Sequence, residues 1–195
     1  SLNIPIFSVK EVSIIIKKDS KYTSLYLSRL VNRGELARIE KGKYYVRGTS
    51  PYAVASNIIY PAYISMMSAF SYYGITTQNI LSIDVLTTAR HTSNINMEEY
   101  KILFTKIPRK FMFGFYRSKE DGTFVAYLEK AVIDALLIGK LPLPYIEEAY
   151  ENAKEAGILN KSRLLSYVKR ISSKDLEEKI NKLEKTLKET NKFRS

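Results

Sequence analysis

With 195 residues, 45% of them hydrophobic, the chain is long enough for one large domain or two small ones with a packed core. It has no cysteine and a single histidine, which excludes disulfides, thiol catalysis and the usual structural zinc sites, so neither metal nor cofactor is expected. A formal net charge of +11 points to an acidic partner, whether nucleic acid, an acidic protein or an anionic membrane surface, while the apolar runs are far too short for a membrane span. A reducing cytoplasm fits this composition.

Residues 1–7 are expected to be extended or irregular, with Pro5 blocking a helix. Ser8-Val9-Lys10-Glu11 has the form of a capping box and should start a helix to about Lys17, with Val9, Val12, Ile15 and Ile16 facing inward. Lys17-Lys18-Asp19 is a turn, and Ser20 is the expected cap of a second helix. Leu27, Leu30 and Val31 recur there at helical spacing beside Thr23 and Tyr26, and Gly34 is placed to end the helix. Leu36–Ile39 and Lys43–Arg47 then form a hairpin about Glu40-Lys41-Gly42. Two tightly joined helices followed by a basic hairpin predict a winged helix-turn-helix over residues 1–48. A complete module normally has another helix in front, so either the sequence begins late or later parts of the chain cover that side. Residues 1–47 hold ten Lys or Arg against four Asp or Glu, a net of +6 and more than half of the total excess.

Residues 49–195 are expected to form a second, α+β domain with a helical C-terminus. Ser50 and Pro51 start a helix to about Tyr60, and Ser65 caps another over Met66–Tyr73, ended by Gly74. Strands follow at 82–87, 100–107, 111–117 and 122–126, with 88–97 as a loop, giving a small mixed or antiparallel sheet. Helices are then predicted at 128–137, from Pro144 to about Ala156, from Asn160, and from Ser172 or Ser173. In the last helix Leu176, Ile180, Leu183 and Leu187 form a short a/d seam. That seam either packs on its own chain or pairs with a second copy as a homodimer.

If Leu27 and Leu30 face inward, Lys21, Tyr22, Ser24 and Ser28 fall on the outward face and become the candidates for base-edge or phosphate contacts. Arg29 and Arg33 lie later in the helix, where they would hold phosphates. Lys41 and Lys43 sit at the expected hairpin tip, and Arg38 either joins them or pairs with Glu40. The first turn of the first helix, Ser8 to Lys10, is also placed to donate to a phosphate. No enzyme is expected. The acids Asp84, Glu98, Glu99, Glu129 and Asp134 lack nuclease spacing, no Gly-rich phosphate loop or G-x-S-x-G occurs, and His91 stands alone in a polar loop.

Three stretches resemble the AbiEi-type antitoxins, transcriptional regulators of phage-defence toxin–antitoxin systems. They are LSRLVNRGELARIEKGKYYV (27–46), AYISMMSAFSYYGIT (62–76) and VAYLEKAVIDALL (125–137), with Tyr127-Leu128 where the family has Ser-Pro and Phe70 where it has Leu. The resemblance runs from about Phe7 to about Gly139. It implies a winged helix that binds operator repeats in double-stranded DNA and represses its own operon. It also implies a type IV antitoxin role toward a nucleotidyltransferase-like toxin, exerted without a stable complex. The alternative is an interaction module that contacts a toxin or another protein without specific DNA binding.

Overall fold

A computed structural model of the chain describes residues 4–194, and of residues 187–194 only their place in the last helix. A short strand β1 (Phe7–Ser8) leads directly into α1 (Val9–Ile16) and α2 (Ser20–Asn32). The hairpin strands β2 (Leu36–Glu40) and β3 (Lys43–Val46) follow, and β1 adds to them in the order β1-β3-β2. The capping box forms as expected. The Ser8 hydroxyl accepts from the Glu11 N–H at 3.2 Å, and the Glu11 carboxylate accepts from the Ser8 N–H at 2.6 Å. Ser8→Ala should therefore cost about 1 kcal/mol, read as a lower urea midpoint in circular dichroism. At α2 the cap is Asp19 rather than Ser20, its carboxylate accepting from the Tyr22 N–H at 2.8 Å. Gly42 takes φ +78° at the hairpin turn, a conformation that a side chain would strain.

The inward face of α2 matches its periodicity. Thr23 and Leu27 are buried, and Leu27, Leu36 and Tyr44 form a small core with Val9, Val12, Leu30 and Val31 around it. Ile15 departs from the expectation, being 77% exposed, and Ile14 is 67% exposed. No described residue of the later chain covers them. An eight-residue helix with five aliphatic residues, three of them consecutive at its end, cannot bury all of them on one neighbour.

Beyond the hairpin, α3 (Pro51–Asn57) and α4 (Met66–Tyr72) flank a six-stranded mixed sheet. Its strands are β4 (Ala62–Ile64), β5 (Ser82–Thr87), β6 (Asn94–Met97), β7 (Tyr100–Lys106), β8 (Phe115–Arg117) and β9 (Phe124–Ala126). The order is β6-β7-β5-β4-β9-β8, parallel at β5/β7 and β4/β9 and antiparallel elsewhere. Two strands arise where none was expected: β4, and β6 within the expected 88–97 loop. The expected 111–117 strand shortens to β8, preceded by a 3-10 turn at Arg109–Phe111.

The helices α5 (Leu128–Ile138), α6 (Leu143–Glu155), α7 (Lys161–Ile171) and α8 (Lys174–Arg194) complete the described chain. Leu176, Ile180 and Leu183 are buried on their own chain, which decides the packing of the seam there; Leu187 lies outside the described side chains. The hairpin faces two cores. Leu36 and Tyr44 point to α1 and α2, while Ala37, Ile39 and Tyr45 join the large core around Tyr63, Phe70 and α5.

Candidate nucleic-acid interface

Because Thr23 and Leu27 are buried, the opposite side of α2 is fixed in solvent. Lys21, Tyr22, Ser24, Ser28 and Arg29 are all exposed along it, and Arg33 follows just past its end. Thirteen residues make this helix about 20 Å long, enough to lie across a major groove about 12 Å wide. Lys18 Nζ stands 5.8 Å from the centre of the Tyr22 ring, so the start of the face is cationic and aromatic together. Arg33 and Glu35 approach to 3.9 Å in solvent, a contact worth little.

Leu25, 55% exposed, also lies on this side and was not singled out from sequence. Its position three residues after Tyr22 was the available signal, and it adds an apolar spot to an otherwise polar and cationic face.

The hairpin residues divide. Lys41 is exposed at the turn and Arg38 is exposed on β2, its Nε donating to the Glu40 carbonyl at 3.1 Å. Lys43 is turned toward the body of the protein. Its ammonium pairs with the Glu40 carboxylate at 3.0 Å and donates to the Ile58 carbonyl. Glu40 in turn lies 2.8 Å from His91 Nε2. Glu98 holds the other strand, accepting from Tyr45 Oη at 3.2 Å and from Arg47 Nη1 at 3.4 Å. Burial, helped by Glu98, pushes the Tyr45 hydroxyl up to about 12. The hairpin is thus seated on the body by Glu40 and Glu98, with one cation at its tip.

The first turn of α1 is already engaged. Ser8 N–H is taken by Glu11, Val9 N–H donates to the Gly42 carbonyl at 3.2 Å, and the Glu11 carboxylate would repel a phosphate. Among the described residues no group of three or more His, Cys, Asp or Glu side chains is placed to hold a metal ion. Among them, too, no helix is long and apolar enough to cross a membrane.

Two of the acids, Glu129 and Asp134, make contacts within the fold. Glu129 and Asp134 are buried on α5. Glu129 accepts from the Asn160 N–H at 2.5 Å and pairs with Arg163 at 3.3 Å. Asp134 accepts from Ser65 Oγ at 2.8 Å and Tyr63 Oη at 3.1 Å and pairs with the buried Lys130. Ser65, expected to cap α4, makes no cap bond and serves this cluster instead.

Residues 1–47 match the family model of the AbiEi antitoxin transcriptional regulators. The match covers α1, α2 and the hairpin, the first of the three resembling stretches; the other two lie beyond it. No curated protein matches the chain.

Proposed function

We propose that this chain is a DNA-binding transcriptional repressor and antitoxin of the AbiEi kind, acting in the cytoplasm on its own operon. In this reading α1 and α2 are the helix-turn-helix, α2 enters the major groove, and the hairpin is the wing. Residues 1–48 are the DNA-binding unit and residues 49–195 the antitoxin-like unit. The observation that carries the reading is the exposed face of α2, with Lys21, Tyr22, Ser24, Ser28 and Arg29 on one side of a helix buried on the other, inside the segment that matches the family. The expected toxin is nucleotidyltransferase-like, and the reading assigns no catalysis to this chain.

The reading is tested by fluorescence anisotropy with the chain's own upstream DNA and a scrambled duplex, each at several salt concentrations. Preference for the upstream duplex, weakening as salt rises, is the expected result. Arg29→Ala with Lys41→Ala should weaken both duplexes alike and lower the salt slope by about 2, at roughly 0.9 per phosphate contact. Ser24 or Ser28 substitutions should change site preference. Lys43→Ala should act on hairpin seating rather than on the slope, since its ammonium already has two partners. Equal, weak binding to both duplexes would refute the repressor reading.

A second reading, an interaction module without specific DNA binding, is favoured by the exposed Ile14 and Ile15. It predicts that Ile14→Ser with Ile15→Ser abolishes a stable protein partner and leaves duplex binding unchanged.

A further inference from the structure

A second cationic surface lies far along the chain from α2. Helix α7 carries Lys161, Arg163, Lys169 and Arg170 and no acidic residue, and the 3-10 turn beside Phe113 adds Arg109 and Lys110. Arg109, Lys110, Lys169 and Arg170 form no ion pair with any described residue. The cations are interleaved with rings. Arg163 lies 4.1 Å from the centre of the Tyr127 ring, which packs on Tyr116 at 4.9 Å. One turn on, Tyr167 meets Phe113 edge-on at 5.2 Å, and Arg170 covers Phe113 at 3.9 Å. Lys110 stands 5.0 Å from the Phe111 ring. Residues 163, 167 and 170 share one face of α7, so the strip runs about 10 Å along the helix. Gly114 makes the approach possible: at φ +73°, a Cβ there would stand 3.0 Å from the Tyr167 ring.

The strip ends in a half-open cavity of about 220 Å³ walled by Tyr73, Tyr116, Tyr127 and Arg163. Glu129 lies at its base, but both of its oxygens are occupied by Asn160 N–H and Arg163, so its charge is turned inward. This volume is below the about 300 Å³ at which drug-sized ligands are usually held, and suits one planar ring rather than a whole nucleotide.

We propose that this face binds single-stranded nucleic acid, with an unpaired base in the tyrosine-walled cavity and the backbone passing along α7 toward Arg170 and Lys110. An acidic peptide would need the cations alone. Here the cations are accompanied by the partly exposed rings of Tyr127, Tyr167 and Phe111, with Phe113 buried beneath Arg170 as their support, and ring and cation together are what stacking on bases of any sequence needs. The site does not depend on α2 or on operator recognition.

The test uses the full chain and three labelled probes in anisotropy titrations: a short single-stranded thymidine oligonucleotide, an abasic strand of equal length, and a duplex. The single strand should bind at least about fivefold more tightly than the abasic strand. Lys110→Ala with Arg170→Ala should weaken the single strand at least about fivefold and leave the duplex unchanged, with folding checked by circular dichroism. Lys21→Ala with Arg29→Ala should do the reverse. Equal binding of the intact and abasic strands would overturn the proposal using the unmodified protein. So would absence of single-strand binding, or its loss with the α2 variant.

Discussion

Asp134→Ala should destabilise the protein by about 3–5 kcal/mol, the range for removing one partner of a buried ion pair. Asp134 and Lys130 are 2% and 0% exposed. Burial pushes the Asp134 carboxyl above the usual carboxylate range and the Lys130 amine below its usual value, and their contact pulls each back. Truncating the carboxylate leaves the Lys130 ammonium with Tyr63 Oη, at 2.9 Å, and the faces of the Tyr63 and Phe113 rings but no counter-charge, and leaves the Ser65 hydroxyl without its acceptor. Lys130→Met, Asp134→Leu, Tyr63→Phe and Ser65→Ala together remove every polar group of the network, so no buried charge is left unpaired. That quadruple variant should recover most of the loss. Urea unfolding of parent, single and quadruple variants decides the matter. A single variant within 1 kcal/mol of the parent would mean that the pair carries little.

This cluster also marks how far the sequence could be read. Tyr63 and Ser65 come from one family-resembling stretch, and Lys130 and Asp134 from another. Each stretch shows polar residues at fixed positions, but nothing in either says that they meet. They bond across 67 to 71 residues of chain, inside a helix buried on every side. Periodicity finds a helix with one wet face far more readily than one with none. The same limit hid β4. Its three residues Ala62–Ile64 are all buried, so they show no alternation, and Pro61 and Ser65 confine them. Strand β6 failed in the opposite way, since Asn94–Met97 at a sheet edge is polar enough to pass for loop.

Around α2 Gly34 at the end and a buried stripe before it made the exposed residues legible, although the cap is Asp19 rather than the expected Ser20. Lys43 was not. Its position in the hairpin says basic and near the turn, while its direction depends on the Ile58 carbonyl, which only the packed structure brings beside it. Ile15 shows the converse, an apolar residue at an inward-looking position with no described partner to bury it.

Asp84→Asn is expected to stabilise the protein at neutral pH, by at most about 3 kcal/mol. Asp84 sits on the central strand β5, where burial pushes its carboxyl from an ordinary 3.8 up to about 6; Lys140 and the Ser68 hydroxyl oppose the shift without cancelling it. The sign follows from proton counting. Between pH 3.8 and 6 the folded protein keeps a proton that the unfolded chain has released, so stability falls as pH rises through that window. Above it the folded state carries the cost of a partly desolvated carboxylate. An amide of the same shape has no charge to desolvate, so the variant's advantage should be absent near pH 4, grow to about pH 6 and then level off. Thermal unfolding of both proteins across that range tests this. The variant also separates structure from chemistry, because Asp84 is the strand acid that a nuclease reading would need. A gain in stability with unchanged duplex binding assigns it to the scaffold. A metal-dependent cleavage present in the parent and lost in the variant would return the chain to the enzymes.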